Sequence, residues 1–349
     1  MFGGRKRNLM AAMRMVGGIC LLGPIAGGQS RPASQPAQAE IVSIVSVDLV
    51  AAPAEPQPAK ACLGGSRLLV AITAAPGGEA AWELRCGKLV LGRGQVRLDG
   101  LGRGQAGVTL PDVLVRTEAA LSAASAGRVG SRRVDILPAA MLRDVRATLA
   151  GLELGVMDPS GLVQAAMKDQ DLAFTDLRPQ LENDYFRGGI VILAGFDDAN
   201  MLADVCAAMA DRVRQGMSLV VLNPPAGWKA LGVRRVELAT PRAADVHLAS
   251  DLCSTVRESD FARPVFACAL KADPNAETLA WFETRNEARR GGPVAKHPLA
   301  VTRSLEKGVV LAVTMPQLTD CYTDPVGRCM LSEIMMWTLK RSQRPKEQQ

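Results

Sequence analysis

The chain has 349 residues, 48% of them hydrophobic and 22% charged, a globular composition with room for about two domains. Aromatic residues make up only 4%, so the cores must be aliphatic, and the exposed ring platforms that single-stranded nucleic acid needs are excluded. The net charge of +6 collects partly at the termini, in Arg5, Lys6, Arg7 and Arg14 and in Lys340, Arg341, Arg344 and Lys346; with no dense internal basic run, no nucleic-acid partner is expected.

Residues 1–39 read as a signal peptide. Arg5, Lys6, Arg7 and Arg14 form a basic region, residues 15–26 a short apolar stretch, and Ala37-Gln38-Ala39 a small-x-small cleavage site before Glu40. The apolar stretch contains Gly17, Gly18, Gly23 and Pro24 and falls short of the roughly 20 residues of a membrane span. An uncleaved N-terminal anchor is the competing reading. Ile19 stands before Cys20 where a lipoprotein signal has a small residue, so lipid attachment is not expected. Either reading places the remainder in an exported compartment, periplasmic or extracellular, meeting the membrane only through this segment.

Residues 40–60 form a leader, rich in Pro, Ala and Gln, around one alternating stretch, 41–50, expected as a first strand. Residues 61–138 show short alternating runs at 67–75, 80–91, 94–101, 106–123 and 132–138, separated by turn residues. This spacing predicts a small antiparallel β-sandwich of Ig-like type, with Trp82 in its core. Residues 139–151 are a helix or linker. From 152 to 341 strands and helices alternate: strands at 152–158, 172–177, 188–196 and 218–223, helices at 159–170 and 199–215. A hairpin at 298–316 and a terminal helix at 327–341 follow, and 342–349 is expected to be a disordered tail. The β-α-β-α rhythm predicts a doubly wound, mostly parallel sheet.

In an oxidising compartment the eight cysteines raise the question of disulfides; Cys62 with Cys86, and Cys321 with Cys329, are close enough in sequence to pair. No C-x-x-C occurs, and the chain has two histidines, His247 and His297, so a zinc site of the usual Cys/His spacing is not expected. No cofactor is indicated.

LELGVMDPSG, DLAFTDL, YFRGGIVILAGFDD, the helix after them and SLVVLNPP together resemble a class I glutamine-amidotransferase-like (flavodoxin-like) domain. Further landmarks are Trp228 to Val233, the hairpin from Pro298 to Val310, Met315-Pro316, and Asp324 to Arg328. With these, residues 60–340 resemble the C-terminal region of exported bacterial proteins of glycoside-hydrolase family 2 type, in which an Ig-like sandwich precedes an amidotransferase-like domain. The resemblance implies the fold and a link to polysaccharide handling. Two departures argue against activity. No barrel carrying two catalytic glutamates fits in the chain. No G-x-C-x-G nucleophile turn occurs: Cys206 falls in a helix, Cys268 in the strand-like run VFACAL, and the strand exit holds Asn223-Pro224-Pro225.

Ligands of such folds bind at the carboxyl ends of the parallel strands. The candidate pocket is therefore Asp158, Phe196, Asp197 and Asn223, with His247 from ADVHLASDL as a further member. These groups could bind a cluster of sugar hydroxyls or a hard cation. The plainer reading makes Asp197 or Asp198 a helix cap, Asp158 a turn residue and His247 a structural histidine. The charged RNEARRGG loop, 285–292, reads as solvated, and the repeated Gly-Arg-Gly near residue 100 as strand turns, since it lacks the Lys-Ser/Thr of a phosphate loop. The leading expectation is an exported, non-catalytic binding protein whose partner is a carbohydrate or another exported protein. The alternative is a glycan hydrolase with Asp158, Asp197 and His247 in one cleft.

Overall fold

The computed structural model describes residues 42–50, 59–139, 141–149, 152–177, 186, 188–261, 264–285 and 294–342. The expected signal peptide, residues 286–292 of the RNEARRGG loop, and the tail after residue 342 lie outside the described residues. No described helix is long and apolar enough to cross a membrane.

The N-terminal half is a two-sheet β-sandwich. One sheet holds β1 (Val42–Asp48), β3 (Arg67–Thr73) and β6 (Arg103–Thr109). The other runs β2 (Lys60–Leu63), β8 (Arg128–Leu137), β7 (Thr117–Ser125), β4 (Glu79–Cys86) and β5 (Leu89–Arg97) in that order. Alternate residues point inward: Val45 and Val47, Leu68, Val70 and Ile72, Ala80, Trp82 and Leu84 share one core. Trp82 lies in this core as expected, over Gly94, where a Cβ would stand 3.1 Å from the indole. The expected leader strand is part of the sandwich, since β1 pairs with β3. The sandwich is not purely antiparallel: β1 pairs parallel to β3, and β2 parallel to β8. The chain switches sheets between β1, β2 and β3, so the strands of these two pairs are not consecutive and no hairpin fixes their direction.

The second half is a mixed α/β region. Its eight-stranded sheet runs β10 (Thr175–Asp176), β9 (Leu154–Met157), β11 (Ile190–Leu193), β12 (Ser218–Leu222), β19 (Gly308–Val313), β18 (Val294–Leu305), β17 (Glu277–Arg285) and β15 (Val246–Leu248). The first five strands are mutually parallel and the last three pair antiparallel. Strands β9, β11, β12 and β19 are buried at every position, as strands covered on both faces must be. Helices α1 (Met141–Thr148), α2 (Leu162–Asp169) and α4 (Pro325–Ser342) cover one face, sharing a core with Val156, Ile192, Val220 and Leu311. Helix α3 (Ala199–Gln215) covers the other, against Val191, Leu193, Leu219 and Val221.

The segment 139–151 is thus no free linker: α1 packs on α4, and Val145 is fully buried. Helix α4 is buried nearly all round rather than along one stripe, because α1 and β2 pack on it as well as the sheet. The run 80–91 divides at a turn into β4 and β5, and 172–177 shortens to the two residues of β10. Between residues 229 and 285 the structure adds β13 (Lys229–Ala230), β14 (Val233–Ala243), β15 and β17, while the strand-like run VFACAL begins β16 (Val265–Ala272); β13, β14 and β16 form a separate antiparallel sheet.

Candidate functional site

The parallel strands end in a cavity of about 440 Å³. Ser160, Phe196, Asp197, Asn223, Arg235 and Thr319 line it with several apolar residues. Its floor is where the strand order turns: β9 leads one way to β10, while β11 and β12 lie on its other side. That reversal opens a crevice between the loops after β9 and β11.

Asp158 follows β9 and is 6% exposed. Its Oδ2 accepts from the amides of Val163 (2.7 Å) and Gln164 (3.2 Å) at the start of α2, and its Oδ1 from the Ser160 hydroxyl (2.6 Å). The carboxylate therefore satisfies orphan donors of a helix N-terminus, while Ser160 faces the cavity. Gly195, at φ +65°, brings the exit of β11 against this pair; a Cβ there would collide with Asp158 Oδ1 and Ser160 Oγ. Asp197 is exposed in the cavity wall. The capping role falls to Asp198, which accepts from Asn200 (2.7 Å) and Met201 (3.3 Å). Phe196 is 6% exposed and packs mainly into the α3 core.

Asn223 leaves β12 with φ +45°. Its Oδ1 accepts from the Met315 amide (2.8 Å), its Nδ2 donates to Thr319 Oγ1 (3.0 Å), and its own amide donates to the Val313 carbonyl (2.7 Å). Asparagine is among the few residues that tolerate this left-handed conformation. Both ends of its amide are spent on holding the exits of β12 and β19 together.

Arg235 of β14 was not legible as a site residue. Its Nε donates to Glu237 (2.6 Å) and its Nη1 to the Pro224 carbonyl (2.7 Å), which fixes the guanidinium over the loop after β12. The only local signal was Arg-x-Glu, two side chains on one face of a strand. Ser160 and Thr319, equally unforeseen, reach the cavity from a turn and from the short 3-10 helix Pro316–Asp320.

His247 does not belong to this site. It lies on β15, at the far edge of the sheet, six strands from β9, or about 29 Å at 4.8 Å per strand. There it stacks on Trp281 and places Nδ1 3.6 Å from Glu258. A cleft joining Asp158, Asp197 and His247 is therefore not formed. His297 lies within β18, stacks on Phe282 and bonds Thr284 at 2.8 Å. Neither histidine lines the strand-end cavity, so its Ser160 hydroxyl has no imidazole base.

All seven described cysteines are free. Cys62 and Cys86 lie on β2 and β4 with β8 and β7 between them, about 14 Å apart at 4.8 Å per strand and beyond the reach of a disulfide. Cys321 and Cys329 are each buried and unpaired, Cys321 before α4 and Cys329 within it. Burial pushes the thiols of Cys206, Cys321 and Cys329 up to about 12, with the neighbouring Asp158 adding to the effect at Cys321. No group of three or more His, Cys, Asp or Glu that could hold a metal occurs among the described residues. The cavity offers a carboxylate, a guanidinium, two hydroxyls and an apolar wall, a set suited to binding a polar molecule.

No family model matches the chain, and no curated protein matches it. Among solved structures it is similar to a cytoplasmic protein from Salmonella typhimurium LT2, with TM-score 0.36 and 11% identity over 53% of this chain and 99% of that one. A second cytoplasmic protein from Salmonella typhimurium gives 0.37 and 11% over 54% and 98%. The exo-β-1,4-mannosidase from Opitutaceae bacterium strain TAV5 gives 0.32 and 16% over 59% of this chain and 38% of that chain. The neighbours thus include a glycoside hydrolase, at low identity and with partial coverage.

Proposed function

We propose that this is an exported, non-catalytic binding protein in which an Ig-like sandwich carries an amidotransferase-like (flavodoxin-like) domain without its nucleophile, and that the strand-end cavity takes a saccharide. The order β10-β9-β11-β12-β19 is the 2-1-3-4-5 order of flavodoxin-like sheets, whose ligands sit at the switch point beside the first strand. Asn223 carries the reading. It occupies the sharp turn where an enzyme of this type holds a strained nucleophile, keeps the left-handed backbone at φ +45°, and has both ends of its side chain tied down. The fold of the turn persists while the attacking group is gone. Asp197, Ser160, Thr319 and Arg235 then supply acceptors and donors for a ring of hydroxyls, in a cavity within the usual size range of small-molecule sites.

The test is a glycan-array screen of the full chain, followed by calorimetric titration of the hits and assays with chromogenic glycosides. Saccharide binding that Asp197→Ala and Arg235→Ala each weaken by about ten-fold or more, without turnover, is the expected result. Glycoside turnover lost in Asp197→Ala, or the absence of any saccharide hit, would overturn it.

A further inference from the structure

Strand β14 separates two cavities. Successive side chains of a strand point to opposite faces. Arg235 faces the strand-end cavity, while Val236 and Leu238 face a second one, of about 430 Å³, between the β14–β16 ribbon and the β17–β18 hairpin. No residue lines both cavities.

Its apolar wall is aliphatic: Val236, Leu238, Leu270 and Val301 line it, and no Phe, Tyr or Trp does. Its charges are unbalanced. Lys271 and Lys296 both line it, both are exposed, and neither forms an ion pair with a described carboxylate. The Lys296 ammonium rests 4.8 Å from the centre of the Trp281 ring instead. The one carboxylate in the wall, Asp273, is neutralised by Arg303 at 2.9 Å. Lys271 stands directly opposite Arg234 in the β14–β16 ladder, a like-charge pairing that costs stability unless an anion offsets it. His297 also lines the cavity; its Nε2 is taken by Thr284, and its Nδ1 bonds no described residue. Arg242 lies near enough to disfavour a proton on that ring, after burial, the larger cause.

We propose that this cavity is a second ligand site, for an aliphatic carboxylate: the chain against Val236, Leu238 and Val301, the carboxylate between Lys271 and Lys296. The test is calorimetric titration of the full chain with octanoate and with octanamide, its uncharged match. Octanoate is expected to bind roughly ten-fold or more tightly than octanamide, the worth of one partly solvated charge contact. The double variant Lys271→Gln/Lys296→Gln is expected to bring octanoate down to the octanamide level, and Arg235→Ala to leave it unchanged. Both lysines are exposed, so the double variant keeps its thermal midpoint. Equal affinities for the two compounds, no octanoate binding, or a double variant that binds like the parent would overturn the proposal. Saccharide binding is read separately, through Asp197 and Arg235, so either site can fail without the other.

Discussion

The guanidinium of Arg116, in the loop before β7 of the sandwich, grips both carboxylate oxygens of Asp260, in the α/β half, at 2.6 and 2.7 Å. The same guanidinium bonds Asp135 of β8 and the Thr255 carbonyl. The Arg116, Asp135 and Asp260 side chains are only 6%, 0% and 2% exposed. Glu333 on α4 completes the joint by accepting from the amides of Ser254 and Thr255, which fixes the loop that meets Arg116.

Breaking that joint should be costly. Arg116→Met leaves the buried Asp260 without its cation and Asp135 with only the more distant Arg133, at 3.6 Å, so a loss of about 3–5 kcal/mol is expected in denaturant unfolding. Arg257 and Glu118 also bridge the two halves, at 2.8 Å, but both are about half exposed. Arg257→Ala should therefore cost under about 1 kcal/mol. Equal effects of the two changes would mean that burial does not set the strength of the junction.

What was legible in the sequence was what local chemistry decides. Helix α3 matches its expected span because Asp198 caps its start and Gly216, at φ +124°, ends it. The fully apolar strand β11 announced a sheet covered on both faces. Strands β14 and β17 were missed because each breaks its alternation: register shifts fall between Glu237 and Arg242 and between Thr278 and Trp281. The site was legible in part. Asp197 and Asn223 follow strands and so sit at the strand ends by connectivity alone. Arg235 arrives through long-range pairing of β14, which no local pattern encodes. His247 failed for the complementary reason: its place at the far edge of the sheet depends on the order of strands, not on its neighbours.

His297 should make stability depend on pH. Burial first, and Arg242 second, hold its imidazole below the ordinary range. A folded pKa below the unfolded value of about 6.5 means that the folded state takes up its proton less readily. This contribution is fully present above the unfolded pKa and is lost as pH falls through it towards the folded value. Unfolding free energy measured from pH 7.5 down to about 5.5 should fall, and fall less in His297→Phe, which keeps the stack on Phe282. Parallel curves for the two proteins would remove His297 as the source.

Thiol reactivity should follow burial. Cys62, Cys206, Cys321 and Cys329 are buried, and burial pushes their thiols up to about 11, 12, 12 and 12; Cys253 is partly exposed but is pushed up as well, by burial and then by Glu333. The thiolate is the reactive species. In native protein, Cys86 and Cys268 should react first with a disulfide reagent, and the others only on unfolding. Mass-spectrometric mapping checks this, with Cys86→Ser/Cys268→Ser expected to remove the fast phase. Fast native labelling of Cys321, beside Asp158, would instead reopen a thiol-based chemistry at the strand ends.

Asn223 joins a backbone requirement to a side-chain requirement, and three substitutions separate them. Asn223→Gly keeps the left-handed backbone free of strain but loses the bonds to Met315 and Thr319, so a loss of about 1–2 kcal/mol is expected. Asn223→Ala loses the same bonds and adds the left-handed penalty of about 1 kcal/mol. Asn223→Val adds a β-branched side chain to a conformation it rarely adopts, and should be the worst of the three. The order Gly, Ala, Val in unfolding free energy would show that the turn after β12 is held by conformation and tether together. If all three fell within about 0.5 kcal/mol of the parent, as surface changes usually do, Asn223 would be a bystander. The retained geometry of the turn would then no longer support a lost nucleophile.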